Sequence, residues 1–134
     1  MSTKIFVNLP VSDLARSMAF FKALGWTFNA QFTDETAASL VISDHIFAML
    51  LTHKKFAEFT DRKIADHSTV EALIALGVDS KDEVDRIADA AIQAGGQQAK
   101  PPQNYGFMRL RSFLDLDGHH WEIFFMDPAY VQPT

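Results

Sequence analysis

The residues best suited to acid–base or metal chemistry are concentrated near the C-terminus, in the segment 115–122, which reads Asp-Leu-Asp-Gly-His-His-Trp-Glu. Carboxylates and imidazoles hold divalent ions and transfer protons near neutral pH. Neighbouring residues of a strand point to opposite faces, so His119 and His120 would not bind one ion together. His120 instead shares a face with Glu122 and Phe124 and is the better candidate for a binding pocket. A histidine near solvent at the start of a strand is the plainer interpretation of the same position.

Other reactive side chains are few. The chain has no cysteine, which excludes disulfides, thiolate nucleophiles and thiolate metal ligands. The remaining histidines, His45, His53 and His67, fall at predicted turns or in a polar stretch, and we interpret them as surface residues.

The charge balance restricts the partners. Twelve Lys and Arg stand against 17 Asp and Glu, a formal net charge of −5, and no extended basic cluster occurs. We therefore expect no nucleic-acid partner. The most apolar region, 40–51, is interrupted by Ser43, Asp44 and His45, which predicts no membrane partner. The first ten residues lack the apolar run of a signal peptide, so we expect a cytoplasmic protein.

The elements that must position these residues begin with a strand over 4–10. Ser12 is the predicted N-cap of a helix that ends at Gly25. Three strands follow, with short polar turns between them. They are predicted over 26–33, 36–43 and 45–52.

The same order then recurs after a polar stretch that contains one or two helical turns. A strand over 69–79 leads to the capping box Ser80–Glu83 and to a helix that ends at Gly95. The last strands are predicted over 97–99, 105–114 and 119–126. Strand, helix and three strands therefore occur twice. We expect one domain over 1–134, with module 1 at about 1–53, a linker at about 54–67 and module 2 at about 68–134.

The last two strands predict a hairpin, because the segment 115–118 has the Asp and Gly content of a tight connection. If Leu114 faces His119, Arg111 lies directly opposite Glu122, on one face with Phe113 and His120. The plainer interpretation of this pair is an ion pair that neutralises two charges in an apolar surrounding. The alternative is that Arg111 binds an anionic group of a ligand.

Two motifs carry a family resemblance. The segment 9–17, Leu-Pro-Val-Ser-Asp-Leu-Ala-Arg-Ser, continues to Phe20-Phe21 and Leu24-Gly25, and the segment 115–122 closes the chain. Together they resemble the opening and closing motifs of the glyoxalase, bleomycin-resistance and extradiol-dioxygenase (vicinal oxygen chelate) superfamily, with Leu116 in place of the usual Pro. The resemblance is strongest to lactoylglutathione-lyase-like members. It implies an α+β fold in which two βαβββ modules form a curved mixed sheet, with the helices on the convex side.

The resemblance also implies where a metal would bind. Metal-using members hold a divalent ion with four ligands from the first and last strand of each module, and these positions fall on Phe6, Met49, Leu73 and Glu122. Only Glu122 has a hard ligand atom, and one carboxylate does not hold a catalytic ion. We therefore expect no metal cofactor, and Glu122 is the one candidate catalytic residue. A shifted set of Asn8, Glu71 and Glu122 would suit Mg²⁺ or Mn²⁺ weakly.

The predicted concave faces are rich in aromatic and apolar side chains. Such a face is either collapsed core or an open trough for a flat hydrophobic ligand. The candidate ligand-binding residues are Phe6, Asn8, Met49, Leu73, Tyr105, Phe107, Arg111, His120, Glu122 and Phe124.

Three functions remain open. The first is a metal-independent binder of a small molecule, comparable to bleomycin-resistance proteins. The second is a glyoxalase-like lyase or isomerase that uses Glu122. The third is a dimeric scaffold with no ligand. An extradiol dioxygenase is the least supported, because its histidine ligands are absent. In each case we expect a homodimer, because an uncovered Phe-rich face would promote aggregation.

Overall fold

A computed structural model describes residues 3–130. The chain divides into two compact units, Met1–Thr69 and Val70–Thr134, and each unit has its own mixed sheet. None of the helices within residues 3–130 has the length and apolar character needed to cross a membrane.

Module 1 has four strands. In sequence they are β1 (Ile5–Val11), β2 (Thr27–Asn29), β3 (Ala37–Val41) and β4 (Ile46–Thr52). Helix α1 (Leu14–Ala23) follows β1, and a short helix α2 (His53–Phe56) follows β4. The sheet order is β1-β4-β3-β2, with β1 and β4 parallel and the other pairs antiparallel.

Module 2 repeats this order. It consists of β5 (Leu73–Gly77), α3 (Lys81–Gln93), β6 (Gln97–Gln98), β7 (Gln103–Asn104), β8 (Met108–Leu114) and β9 (His120–Met126). The sheet order is β5-β9-β8-β6, with β5 parallel to β9 and β7 paired to β8. The predicted α+β class with two βαβββ modules is confirmed, because the first and last strand of each module pair in parallel.

Burial explains why these segments fold as they do. In module 1 one set of buried strand residues shares a sheet face, and in module 2 the buried strand residues share the face that α3 covers, as the period of two in a strand requires. The module 1 set is Leu9, Ala38, Leu40, Ala48 and Leu50, and the module 2 set is Leu76, Phe113, Trp121 and Ile123, with Val84, Ile87, Ala88 and Ala91 from α3.

Several predicted boundaries were wrong. The N-cap of α1 is Asp13, one residue after Ser12, and its carboxylate accepts from the backbone N–H of Arg16. The strand predicted over 69–79 is confined to β5, and the strand predicted over 105–114 begins at Met108. A strand ends where its backbone no longer pairs with a neighbouring strand. The apolar content of a segment does not show where this pairing stops, so it did not predict the ends of these strands. The Ser80 cap is confirmed, because its hydroxyl accepts from the N–H of Glu83.

The hairpin between β8 and β9 forms as predicted, but its register differs by one residue. Leu114 faces His120, and the backbone N–H of Asp115 donates to the carbonyl of His119. The two strands are therefore connected by the five residues 115–119 rather than by the four residues 115–118, and Gly118 adopts a φ of 83° within this connection. A shift of one residue moves every side chain of a strand to the other face.

Candidate functional site

The open face of module 1 is the sheet face that carries Phe6, Asn8, Phe47 and Met49. Phe6 lies beside Phe47, and Asn8 lies beside Met49, because these residues are partners in the β1–β4 ladder. The rings of Phe6 and Phe47 stack with centroids 4.8 Å apart and planes 11° apart. Phe6 nevertheless remains 49% exposed. The two predicted residues of β1 are thus brought together with Met49 on one surface.

The side chain of Asn8 has a defined orientation on this face. Its Nδ2 donates to the backbone carbonyl of Phe6 at 3.1 Å. A carbonyl accepts hydrogen bonds only, so the nitrogen must be the atom that faces it. The side-chain oxygen Oδ1 of Asn8 is then directed away from that carbonyl.

The open face of module 2 is the sheet face opposite α3, with Leu73, Ala75, His120, Glu122 and Phe124. Leu73 faces His120 and Ala75 faces Glu122 across the β5–β9 ladder. The ring of Phe124 lies over Gly77, where an added Cβ would stand 3.2 Å from Cζ of the ring. A glycine at this position lets the aromatic ring approach the strand closely.

His120 and Glu122 are the polar pair within this face. Nε2 of His120 and Oε2 of Glu122 are 3.8 Å apart, which is too long for a hydrogen bond. Nε2 is buried and has no hydrogen-bond partner, whereas the side chain of Glu122 is 27% exposed. The carboxylate therefore reaches the surface while the imidazole lies behind it.

Arg111 is not part of this face, and the predicted pair with Glu122 was wrong. Ser112 faces Glu122, and Arg111 faces Ile123. Phe113 is also misplaced by the prediction, since it is fully buried beside Trp121. The cause is the one additional residue in the hairpin connection, which turns the other face of β8 toward the face of Glu122.

Arg111 instead belongs to an ionic cluster between β8 and α3. Its Nη1 lies 2.8 Å from Asp89 and 3.2 Å from Asp85, and Asp85 also accepts from Arg109 at 2.8 Å. Burial raises the pKa of Asp85, but the hydrogen bonds from Arg109 and Arg111 outweigh it and hold the pKa below its ordinary value. Both arginines are paired with carboxylates in this cluster, on the sheet face opposite Glu122.

The shifted ligand set was also wrong in its placement of Glu71. This residue precedes β5 and does not alternate with Leu73 along a strand. Its carboxylate forms a short hydrogen bond with Nδ1 of the buried His119. The bond ties the entry of β5 to the end of the β8–β9 loop, and it removes Glu71 from the proposed site.

Tyr105 and Phe107 form an aromatic stack with Tyr130 outside the ladders of β8 and β9. The centroids of Phe107 and Tyr130 are 4.1 Å apart, and those of Tyr105 and Phe107 are 6.3 Å apart. Tyr105 is 55% exposed, and its hydroxyl donates to Gln103. The stack presents an aromatic surface, but its members lie before β8 and after β9.

The residues present do not fit the metal that the fold class uses. Of the four corresponding positions, Phe6 and Leu73 have no ligand atom and Met49 has a soft thioether. Among residues 3–130 no group of three His, Cys, Asp or Glu side chains is placed to hold one ion.

The sequence interpretation missed the two polar clusters of module 2. Asp85 and Asp89 lie four residues apart on one face of α3, and Arg109 and Arg111 lie two apart on one face of β8. These complementary spacings were the available signal. The role of Asp115 had no such signal, because its partners are two backbone N–H groups and the indole N–H of Trp121.

Comparison with known proteins places this fold in a defined class. Residues 3–43 match the family described as bleomycin resistance protein-like N-terminal. The hypothetical protein SA1046 from S. aureus is 30% identical, with a TM-score of 0.77 and coverage of 93% of this chain and 95% of that one. No protein of curated function matches the chain significantly.

Two further structures share the fold at lower identity. A glyoxalase/bleomycin resistance protein/dioxygenase family enzyme from Burkholderia phytofirmans PsJN is 19% identical, with a TM-score of 0.76 and coverage of 93% of this chain and 99% of that one. The fosfomycin resistance protein FosX from Mesorhizobium loti is 20% identical, with a TM-score of 0.70 and coverage of 96% of both chains. The chain therefore has the fold of the glyoxalase/bleomycin resistance protein/dioxygenase structures, and its first strand and helix lie in the segment that matches the bleomycin resistance protein-like family.

Proposed function

We propose that this protein binds an apolar small molecule on the open faces of its sheets without a divalent metal. The observation that carries the proposal is the replacement of the metal ligands by Phe6, Met49 and Leu73 on surfaces that stay accessible. Phe6 and Leu73 are 49% and 58% exposed. Covering exposed apolar surface with a ligand contributes about 25 cal/mol of binding free energy for each Å² removed from water. The match to a bleomycin resistance protein-like family supports a binding function.

The metal-free state is tested by elemental analysis of protein purified without chelator. We expect less than stoichiometric divalent metal, and we expect the melting temperature to be the same with and without EDTA, because metal binding stabilises the folded state by mass action. One tightly bound ion per chain that is lost in Glu122→Gln would contradict the proposal.

Ligand binding is tested with the neutral apolar dye Nile red, followed by its fluorescence. We expect saturable binding that weakens several-fold in Leu73→Ser, because this change replaces exposed apolar area with a hydroxyl. Val70→Ser is the matched control, since Val70 is also exposed but lies before β5. Absence of saturable binding, or equal weakening by the control, would contradict the proposal.

A glyoxalase-like lyase is the second candidate, and the pair of His120 and Glu122 favours it. Two groups able to transfer a proton stand 3.8 Å apart on one face. The test is formation of lactoylglutathione by the purified protein. This candidate requires activity that is lost in Glu122→Gln, and an inactive parent protein would eliminate it.

A further inference from the structure

Phe6 offers one ring face to a ligand. Its other face is occupied by the ring of Phe47, and Lys4 Nζ lies 5.8 Å from the centroid of Phe47. Phe6 keeps about half of its surface exposed beside this stack. An aromatic ring that continues a stack of this kind gains more than its buried area alone would give.

Asn8 offers a hydrogen-bond acceptor beside this ring. Residues two apart in a strand point to the same face, so Asn8 and Phe6 share the surface. Because one N–H of Asn8 Nδ2 donates to the carbonyl of Phe6, the orientation of the amide is fixed and Oδ1 is available as an acceptor. Among residues 3–130 the structure places no donor on Oδ1, so the surface presents this acceptor next to the ring of Phe6.

Met49 completes the surface as the ladder partner of Asn8. Its thioether is flexible and makes favourable contacts with aromatic rings, so it adapts to the edge of a bound ring. The three side chains thus combine a stacking platform, an acceptor and an adaptable apolar wall.

We propose that the open face of module 1 recognises a planar aromatic group that carries a ring N–H, as an indole does. The ring stacks on Phe6, and its N–H donates to Oδ1 of Asn8. This inference rests on the proposed function and names the chemical class of the ligand. A position that holds a metal ligand in other members of the superfamily serves here as an aromatic platform.

The test compares indole with 1-methylindole, which keeps the ring and lacks the N–H donor. Affinities are measured by NMR titration of ¹⁵N-labelled protein, in which the side-chain amide of Asn8 also reports the place of binding. We expect indole to bind about two- to tenfold more tightly, the contribution of one neutral hydrogen bond. The Asn8 signals should shift with indole more than with 1-methylindole.

Two substitutions separate the contacts. Asn8→Leu should remove the difference between the two compounds while 1-methylindole still binds. Phe6→Leu should weaken both compounds by a similar factor, about two- to tenfold. Phe59→Leu is the matched control, because Phe59 is 69% exposed and lies outside every strand. We expect this control to change neither affinity.

The outcomes distinguish this inference from the function on which it rests. Equal affinities for indole and 1-methylindole would overturn the inference alone. Binding of Nile red with no binding of either indole would do the same. Failure of all three compounds to bind would overturn the proposed function together with the inference. Retention of the indole preference in Asn8→Leu would overturn the assignment of Asn8.

Discussion

Asp115 accepts three hydrogen bonds inside module 2. Its Oδ1 accepts from the backbone N–H groups of Asp117 and His119, and its Oδ2 accepts from the indole N–H of Trp121, each at 3.0 Å. Burial raises the pKa of this carboxyl, although His119 and the three donors act in the opposite direction. One side chain thus joins the β8–β9 loop to the largest residue of the core.

Asp115→Ala should destabilise the protein by about 2–4 kcal/mol, because it leaves the indole N–H and two backbone N–H groups without their acceptor. The measurement is the free energy of unfolding in urea. Asp44→Ala is the matched control, since Asp44 is exposed in the β3–β4 turn of module 1. We expect less than about 0.5 kcal/mol for the control. Equal losses would show that the acceptor role of Asp115 is unimportant.

The raised pKa of Asp115 predicts a specific pH dependence. A carboxyl whose pKa is higher in the folded state adds stability that is fully present below the unfolded value of about 3.8 and is lost as the pH rises through the folded value. Asp115→Asn removes this titration. The stability of the parent relative to Asp115→Asn should therefore increase as the pH falls toward 3.8, as measured by urea unfolding. A difference that is constant with pH would contradict the assignment.

At the scale of elements, α3 and β8 are joined by charges as well as by apolar contact. The side chain of Arg111 is only 10% exposed between Asp85 and Asp89. Removing one partner of a buried ion pair leaves an uncompensated charge, whereas exposed pairs contribute little.

Arg111→Met should destabilise the protein by about 1–3 kcal/mol, and Arg86→Met by less than about 1 kcal/mol, because the Arg86–Glu83 pair is exposed. A double-mutant cycle of Arg111→Met with Asp89→Asn should show coupling, since the two groups are in contact. The cycle of Arg111→Met with Glu122→Gln should be additive, because the two side chains lie on opposite faces. Coupling in the second cycle would contradict the observed register.

The hairpin shows how far the sequence determines an element. The Asp and Gly residues of 115–118 indicated a turn, and the two flanking strands formed as expected. The same sequence permits a connection of four residues, 115–118, or the observed connection of five residues, 115–119. Asp115 holds the observed connection with three hydrogen bonds, two from backbone N–H groups within it and one from the indole N–H of Trp121 in β9. Glu122 was therefore placed on its face correctly from β9 alone, while Arg111 was not.

At the scale of the whole molecule, the order of elements was predictable from the spacing of apolar residues. In each module a segment with helical spacing lies between segments with the alternating spacing of strands. The site was less predictable, since a list of residues on a face does not say which atoms meet. Asn8 illustrates this. The residue type allows either orientation of the side-chain amide, and the hydrogen bond to the carbonyl of Phe6 selects one.

We expect the protein to form a homodimer, because both modules expose apolar residues on their open faces. Sedimentation velocity at micromolar concentration should show a dimer. Leu73→Glu should shift the equilibrium toward monomer, since a charge in an apolar contact lacks a partner. Ile92→Glu, an exposed change on α3, is the control and should leave the dimer intact. A monomeric parent protein would contradict the prediction.

The parallel pairing of the first and last strand of each module affects how the chain folds during its synthesis. Residue 73 finds its ladder partner only when residue 120 has emerged from the ribosome, and residue 5 likewise waits for residue 46. Strand β5 therefore remains without its backbone partners while α3 and the next three strands are translated. Such unpaired strands are targets for aggregation. The pairing of β5 thus depends on the synthesis of β9. Module 1 is synthesised first, so all of its strands are present before those of module 2.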